Sequence, residues 1–300
     1  MLRTMNHLLR AVLLSALALG LSPVLHAADA LDRAIAHAEA LQTRALGSVA
    51  AAQRALADAQ ADLRVVRSIE ADARQARDRA AITVAAEAAQ QALALERETR
   101  RNLDLARELL NTRGRQLQDL RGWTRADRRP RAVMVVESGE VVHHTLGGYR
   151  PRDMAPVQAG ERIETGPGAR ARLFVAGGDA EVALGENSAY TVTQDDAAGD
   201  FVAQLESGLM RLRGLAKAKL GRKFEVRTPS VAIAVRGTDF SVARPPAGDR
   251  VQVHRGVVAV TPVAGGAEVL LQAGEMLQVP AQGPWPAAQR FEPGLEELAW

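Results

Sequence analysis

The chain contains no cysteine. A disulfide framework, a thiolate nucleophile and a cysteine-ligated metal are therefore all excluded. Aromatic residues make up 3% of the sequence, so any core must be built from Val, Leu, Ile and Ala. That scarcity also removes the stacking platforms on which single-stranded nucleic acid is bound, and no nucleic-acid partner is expected. Lysine is confined to Lys217, Lys219 and Lys223, and the remaining positive charge is arginine. A net charge of +3 is too small for a polycation acting as a whole.

Catalytic and metal signatures are also missing. His143 and His144 are adjacent, so on a strand they project to opposite faces, and His37 and His254 have no companion at ligand spacing. No metal and no cofactor are expected. Neither a Gly-x-Ser-x-Gly elbow nor a Walker loop is present. Gly166-Pro167-Gly168 begins like a dinucleotide loop, but it lacks the third glycine and a following helix. Asp195-Asp196 lies in a stretch where Asp and Gly serve turns. The expectation is a protein that is not an enzyme.

Five segments follow from what is present. Residues 1–27 have the layout of a secretory signal peptide: Arg3, His7 and Arg10, an apolar run over 11–21, then small residues with cleavage near Ala27 or Ala28. The run is about half the roughly 20 residues that span a bilayer. The mature chain is thus expected in the periplasm, with no membrane span of its own.

Residues 28–122 contain no proline and are rich in Ala, Arg, Leu, Gln and Glu, all compatible with helix. Val49, Leu56 and Leu63 recur every seven residues, with Ala45, Ala52, Ala59 and Val66 between them. A second heptad run, out of phase with the first, reads Ile82, Ala89, Glu96, Leu103, Leu110 and Leu117. Such seams require a partner helix, and the phase break points to a turn between Arg67 and Arg79. The spacing predicts a coiled-coil hairpin, or else one rod of about 140 Å, and either arm could carry a homo-oligomer. Residues 123–131 form a charged linker.

From 132 to 282 the pattern is all β, with short apolar runs separated by Gly, Pro, Asp or Asn. An apolar residue three before a glycine recurs as Val157/Gly160, Leu205/Gly208, Val253/Gly256 and Leu271/Gly274. This suits a β-solenoid or a sandwich-like stack of short strands. Residues 283–300, rich in proline and acid, read as an extended tail with a helical turn at its end. The fold class is α+β in separate domains.

The most specific stretch is Phe224–Val242, FEVRTPSVAIAVRGTDFSV. Thr228-Pro229-Ser230 interrupts a strand, because proline donates no N–H. Val231, Ile233 and Val235 put their apolar side chains on odd positions, and Phe240 and Val242 on even ones. A strand alternates faces with period two, so one residue must be absorbed between them. Gly237 is placed to do so, and Arg236 is expected to hold the bend by pairing an acid such as Asp239 or Asp179, or by donating to turn carbonyls.

Thr228, Pro229, Arg236, Gly237, Thr238, Asp239 and Phe240 closely resemble the signature of the FecR domain, a periplasmic β module of Gram-negative bacteria. The resemblance runs from about Val157 to Val279. It implies an all-β domain at the envelope. The best-known members are transmembrane regulators whose cytoplasmic segment binds an extracytoplasmic-function sigma factor. Only about ten residues precede the apolar run here, too few for such a segment.

A final cluster, Arg211, Arg213, Lys217, Lys219, Arg222 and Lys223, has no acid among it. It is a candidate contact for an anionic partner, either a cell-wall polymer or an acidic protein face. Two functions are consistent with these readings: a non-enzymatic periplasmic binding or scaffolding protein, and a FecR-type sensor that signals to a sigma factor through a partner.

Overall fold

A computed structural model describes residues 22–122, 132–145, 148–151, 154–175, 180–194, 201–214 and 224–292. Among the described residues two helices come first, α1 (Ser22–Gln75) and α2 (Arg79–Gly122), and fifteen strands follow. The chain divides into two compact units, one comprising Ile35–Gly122 and the other the preceding residues together with Trp123–Trp300. Met1–Leu21, most of the expected signal segment, and the linker 123–131 lie outside the described residues.

In the helical unit a seam of buried and half-buried positions repeats with 3-4 spacing. On α1 the seam is Ala38, Gln42, Ala45, Val49, Ala52, Leu56, Ala59, Leu63, Val66, Glu70 and Ala73, each buried or half-buried. On α2 it is Ile82, Ala85, Ala89, Ala92, Glu96, Thr99, Leu103, Ala106, Leu110, Arg113, Leu117 and Leu120. Arg121 Nη2 reaches Glu39 Oε1 at 2.6 Å and Gln60 Nε2 reaches Glu96 Oε1 at 3.5 Å, so the helices run antiparallel.

The reversal falls at Ala76–Asp78, inside the window the phase break marks. Arg77 takes a left-handed φ of 56°, the Asp78 N–H donates to Ala73 O (3.1 Å), and the Arg77 N–H donates to Arg74 O (3.2 Å). This is a Schellman stop with arginine where glycine is usual. Asp78 then caps α2, accepting the Ala81 N–H on Oδ1 at 3.1 Å.

The β unit consists of two rows of strands that share three members. The long strands are β9 (Phe201–Arg213), β11 (Val231–Arg244) and β12 (Gly248–Pro262). One row orders β4 (Met154–Val157), β1 (Ala132–Ser138), β6 (Arg170–Val175), β7 (Glu181–Leu184), the second half of β9, the second half of β11, the first half of β12, β14 (Glu275–Pro280) and β15 (Gln289–Arg290). The other orders β3 (Gly148–Pro151), β2 (Val141–Thr145), β5 (Arg162–Thr165), β8 (Ala189–Gln194), the first half of β9, β10 (Phe224–Arg227), the first half of β11, the second half of β12 and β13 (Val269–Gln272). Apolar side chains of both rows form one buried cluster that includes Met134, Ile163, Leu173, Tyr190, Leu205, Leu212, Ile233, Phe240, Val251 and Val260.

The apolar runs 201–205 and 209–212 on either side of Gly208 are one strand, and so are 251–253 and 257–260 on either side of Gly256. Their glycines bend a strand rather than end it. Gly208 and Gly256 take φ of 89° and 86°, close to the 82° and 83° of the turn glycines Gly160 and Gly274. Buried parity switches across each bend: Ala203 and Leu205 give way to Met210 and Leu212, and Val251 and Val253 to Val258 and Val260. Gly208 is also crowded, because a Cβ there would meet Ser188 Cα at 2.3 Å. Gln289 and Arg290 extend the first row, and the Phe291 N–H donates to Gly274 O at 3.0 Å. Residues 293–300, with the expected final helical turn, lie outside the described residues.

Candidate functional site: the Arg-Gly-Thr-Asp bend and its ion-pair ladder

The Thr-Pro element is a side-chain-built turn. Thr228 Oγ1 accepts the Ser230 and Val231 N–H groups at 3.1 and 3.0 Å and donates to Asp249 Oδ2. Arg244 Nη1 donates to the other carboxylate oxygen, Asp249 Oδ1, and lies 3.4 Å from Ser230 Oγ. Asp249 is wholly buried. A carboxylate removed from water is held by charge-assisted bonds to its partners, so this acid locks β11 and β12 at the end of β10.

Parity changes in β11 where the sequence requires it. Val231 and Ile233 are fully buried on odd positions, and Phe240 and Val242 on even ones. The register against β12 slips between Arg236 and Asp239 and again before Phe240. Gly237 lies within the first slip. Thr238 is 3% exposed, and its Oγ1 has no hydrogen-bond partner among the described residues. The side chain of Arg236, and all of Asp179, lie outside the described residues.

Asp239 is paired from the neighbouring strand β9. Arg211 makes a two-point contact with it, Nε to Oδ1 at 2.8 Å and Nη2 to Oδ2 at 2.9 Å. Arg213 Nε stands 3.8 Å from Oδ2, and Arg213 Nη1 stands 4.0 Å from Glu181 Oε1. Arg172 continues the series, with Nη1 to Glu181 Oε1 at 2.9 Å and Nε to Glu137 Oε1 at 2.7 Å. Acid and base thus alternate across β1, β6, β7, β9 and β11. Burial opposes the charge on Arg172, yet the bonds to Glu137 and Glu181 outweigh it and raise its pKa. For Arg213, burial and then the adjacent Arg211 charge lower the pKa. The ladder links the five strands through paired charges.

Two further sites use the same chemistry. His143 Nε2 is 3.0 Å from Glu161 Oε2, both buried, and that oxygen also accepts the Gln158 N–H at 2.7 Å, closing the Gly160 turn. Arg162 binds Glu206 through Nε and Nη2 (3.1 and 3.0 Å) and also contacts Glu164. Burial pushes the Tyr190 hydroxyl far above its usual pKa.

Of the six basic candidates, two lie among the described residues. Arg211 and Arg213 are on β9, and Arg211 is buried against Asp239. Lys217, Lys219, Arg222 and Lys223 lie outside the described residues. Sequence reading missed Asp249, Arg244, Glu181 and Arg172. Their partners are distant in the chain, and only the strand register brings them together. Among the described residues, no group of three or more His, Asp or Glu could hold a metal ion, and no helix is long and apolar enough to cross a membrane.

Two rows of strands thus share three bent members, with Thr228 bonded to Asp249 and Asp239 bonded to Arg211 beside the bend. Residues 161–259 match the family model described as FecR protein, so the chain carries a FecR domain. The match begins just before β5 and ends within β12, while β1 is hydrogen-bonded between β4 and β6 in the same sheet. No curated protein matches the chain. Two crystal structures, at 1.65 and 2.50 Å resolution, of a "putative anti-sigma factor" from Parabacteroides distasonis are similar at 17% identity, with a TM-score of 0.37. The likeness covers 43% of this chain and 59% of theirs, so the chain spans less than two thirds of those structures' length.

Proposed function

We propose that this is a non-catalytic, exported protein of the cell envelope that works by binding other proteins, with the FecR domain as a rigid scaffold and the helical arm as the reaching element. One observation carries the reading. Among the described residues, the acids around the motif are engaged in internal pairs, Asp239 with Arg211 and Asp249 with Arg244. The arm, by contrast, leaves large apolar side chains in water, including Val65 at 59% and Leu105 at 64% exposure. Signal removal near Ala27 or Ala28 and a periplasmic location belong to the same reading. Lys217, Lys219, Arg222 and Lys223 are the proposed contact for an anionic partner, cell-wall polymer or acidic protein. Charge reversal at Lys217 and Lys219 that leaves peptidoglycan co-sedimentation unchanged removes the polymer.

The family match at 161–259 favours a second reading, cell-surface signalling of the FecR type, passed to a sigma factor through a membrane partner. In-cell crosslinking of the tagged full chain, combined with transcript profiling of a deletion strain, separates the two. Crosslinked envelope proteins with an unchanged transcriptome support scaffolding. Loss of one co-regulated promoter set supports signalling. A cytoplasmic chain that retains residues 1–27 sinks both.

A further inference from the structure

Six of the large exposed apolar residues of the helical unit fall on one side of it. In an antiparallel pair, the positions on either side of the seam form two flanks, each drawn from both helices. The Arg121–Glu39 contact identifies one flank, since both residues occupy the position just after the seam residue on their helix. That flank carries Arg64, Arg67 and Arg74 on α1 and Arg97, Arg100, Arg107 and Arg121 on α2, all exposed, against the acids Glu39 and Asp104. The opposite flank holds Val65, Ile69, Val84, Leu95, Leu105 and Leu109, from 44% to 67% exposed. Its charges are Asp58, Asp62, Asp72, Glu98 and Asp119, with Arg44 alone of opposite sign.

The two flanks complement each other at matching heights. Asp72 is two residues from Arg74, Asp62 from Arg64 and Asp119 from Arg121, while Glu98 lies between Arg97 and Arg100. Two residues are about 3 Å along a helix. A second hairpin set beside the first, in the same direction and without a shift, therefore brings each of these acids level with an arginine. Arginine is suited to this surface, because its aliphatic stem covers apolar neighbours while its guanidinium reaches a carboxylate.

We propose that the acidic, apolar flank of one copy takes the arginine flank of a second copy, side by side and in register. The contact is heterologous, so copies add until the rotation closes a ring, or continue as a filament. This deepens the reading of the arm as an interaction element and names its first partner.

Sedimentation velocity on the full chain over a range of concentration and salt tests it. Self-association is expected, weakening as salt screens the paired flanks. Arg64→Glu/Arg97→Glu and Asp58→Arg/Asp62→Arg should each weaken association by about tenfold or more alone, and an equimolar mixture of the two should recover it. Circular dichroism should be unchanged for both, since all four positions are exposed. Two results overturn the proposal: a monomeric wild-type chain at every concentration, or an Arg64→Glu/Arg97→Glu chain that still self-associates. The latter means that the apolar flank meets its own like instead. Either failure leaves the crosslinking test of envelope partners standing.

Discussion

The two units dispose of charge in opposite ways. In the β unit, acids and arginines alternate strand by strand from Glu137 to Asp239, and Asp249 is sealed beneath Thr228 and Arg244. In the helical unit the charges Glu70, Glu96 and Arg113 and a few uncharged polar side chains enter the seam, and most of the remaining charge lies at the surface. A buried pair costs desolvation and is tolerated for the geometry it enforces, whereas a charge at the surface costs little and remains available to a neighbour. The contrast teaches that charge in the β unit ties strands together, while much of the charge of the arm stays at its surface.

The sharpest way to break the contrast is at Asp249. Asp249→Ala strips a fully buried acid from Arg244 and Thr228. It should destabilise the β unit by about 3–5 kcal/mol while the helical signal of the arm persists, as read by near- and far-UV circular dichroism melts. Gly208→Ala comes next. A left-handed φ and a Cβ driven into the Ser188 backbone should together cost about 3 kcal/mol, measured by chemical denaturation.

Effects in the arm are smaller. The hydrogen bond from Arg100, opposed by burial and aided by Gln60, holds the Glu96 carboxyl below its ordinary pKa. Its stabilising effect is therefore present above the unfolded carboxylate value of about 4.3 and is lost as pH falls through the lower folded value. Thermal melts of the arm should weaken with acid in that window, and less so for Glu96→Gln. Smallest is a gain: Arg77→Gly relieves a left-handed arginine and should stabilise the hairpin by about 1 kcal/mol. A loss of helicity there would mean that the Arg77 side chain, not the backbone, holds the turn.

Periodic features could be read from the sequence, and relational ones could not. The heptads at 45–66 and 82–117 reappear as the buried stripes, because a helix seam is written every three or four residues. The parity change around Gly237 appears as a register slip for the same reason. The hairpin turn left no glycine to find, since Arg77 occupies the left-handed position. Asp249 follows Pro245-Pro246-Ala247-Gly248 and so looks like an ordinary turn acid. Arg211 meets Asp239 only because β11 crosses from β10 to β9 at its bend. Taking Gly208 and Gly256 as the ends of strands split β9 and β12 in two. Nothing local distinguishes a glycine that ends a strand from one that bends it.

Those bends have a mechanical meaning. Because β9, β11 and β12 each run through both rows, the backbone itself joins the layers at three places. Neither layer can peel away or slide while the other remains intact. Amide exchange in β9, β11 and β12 should therefore proceed through one shared global opening, and a tug on either end of the domain would load three covalent tethers at once.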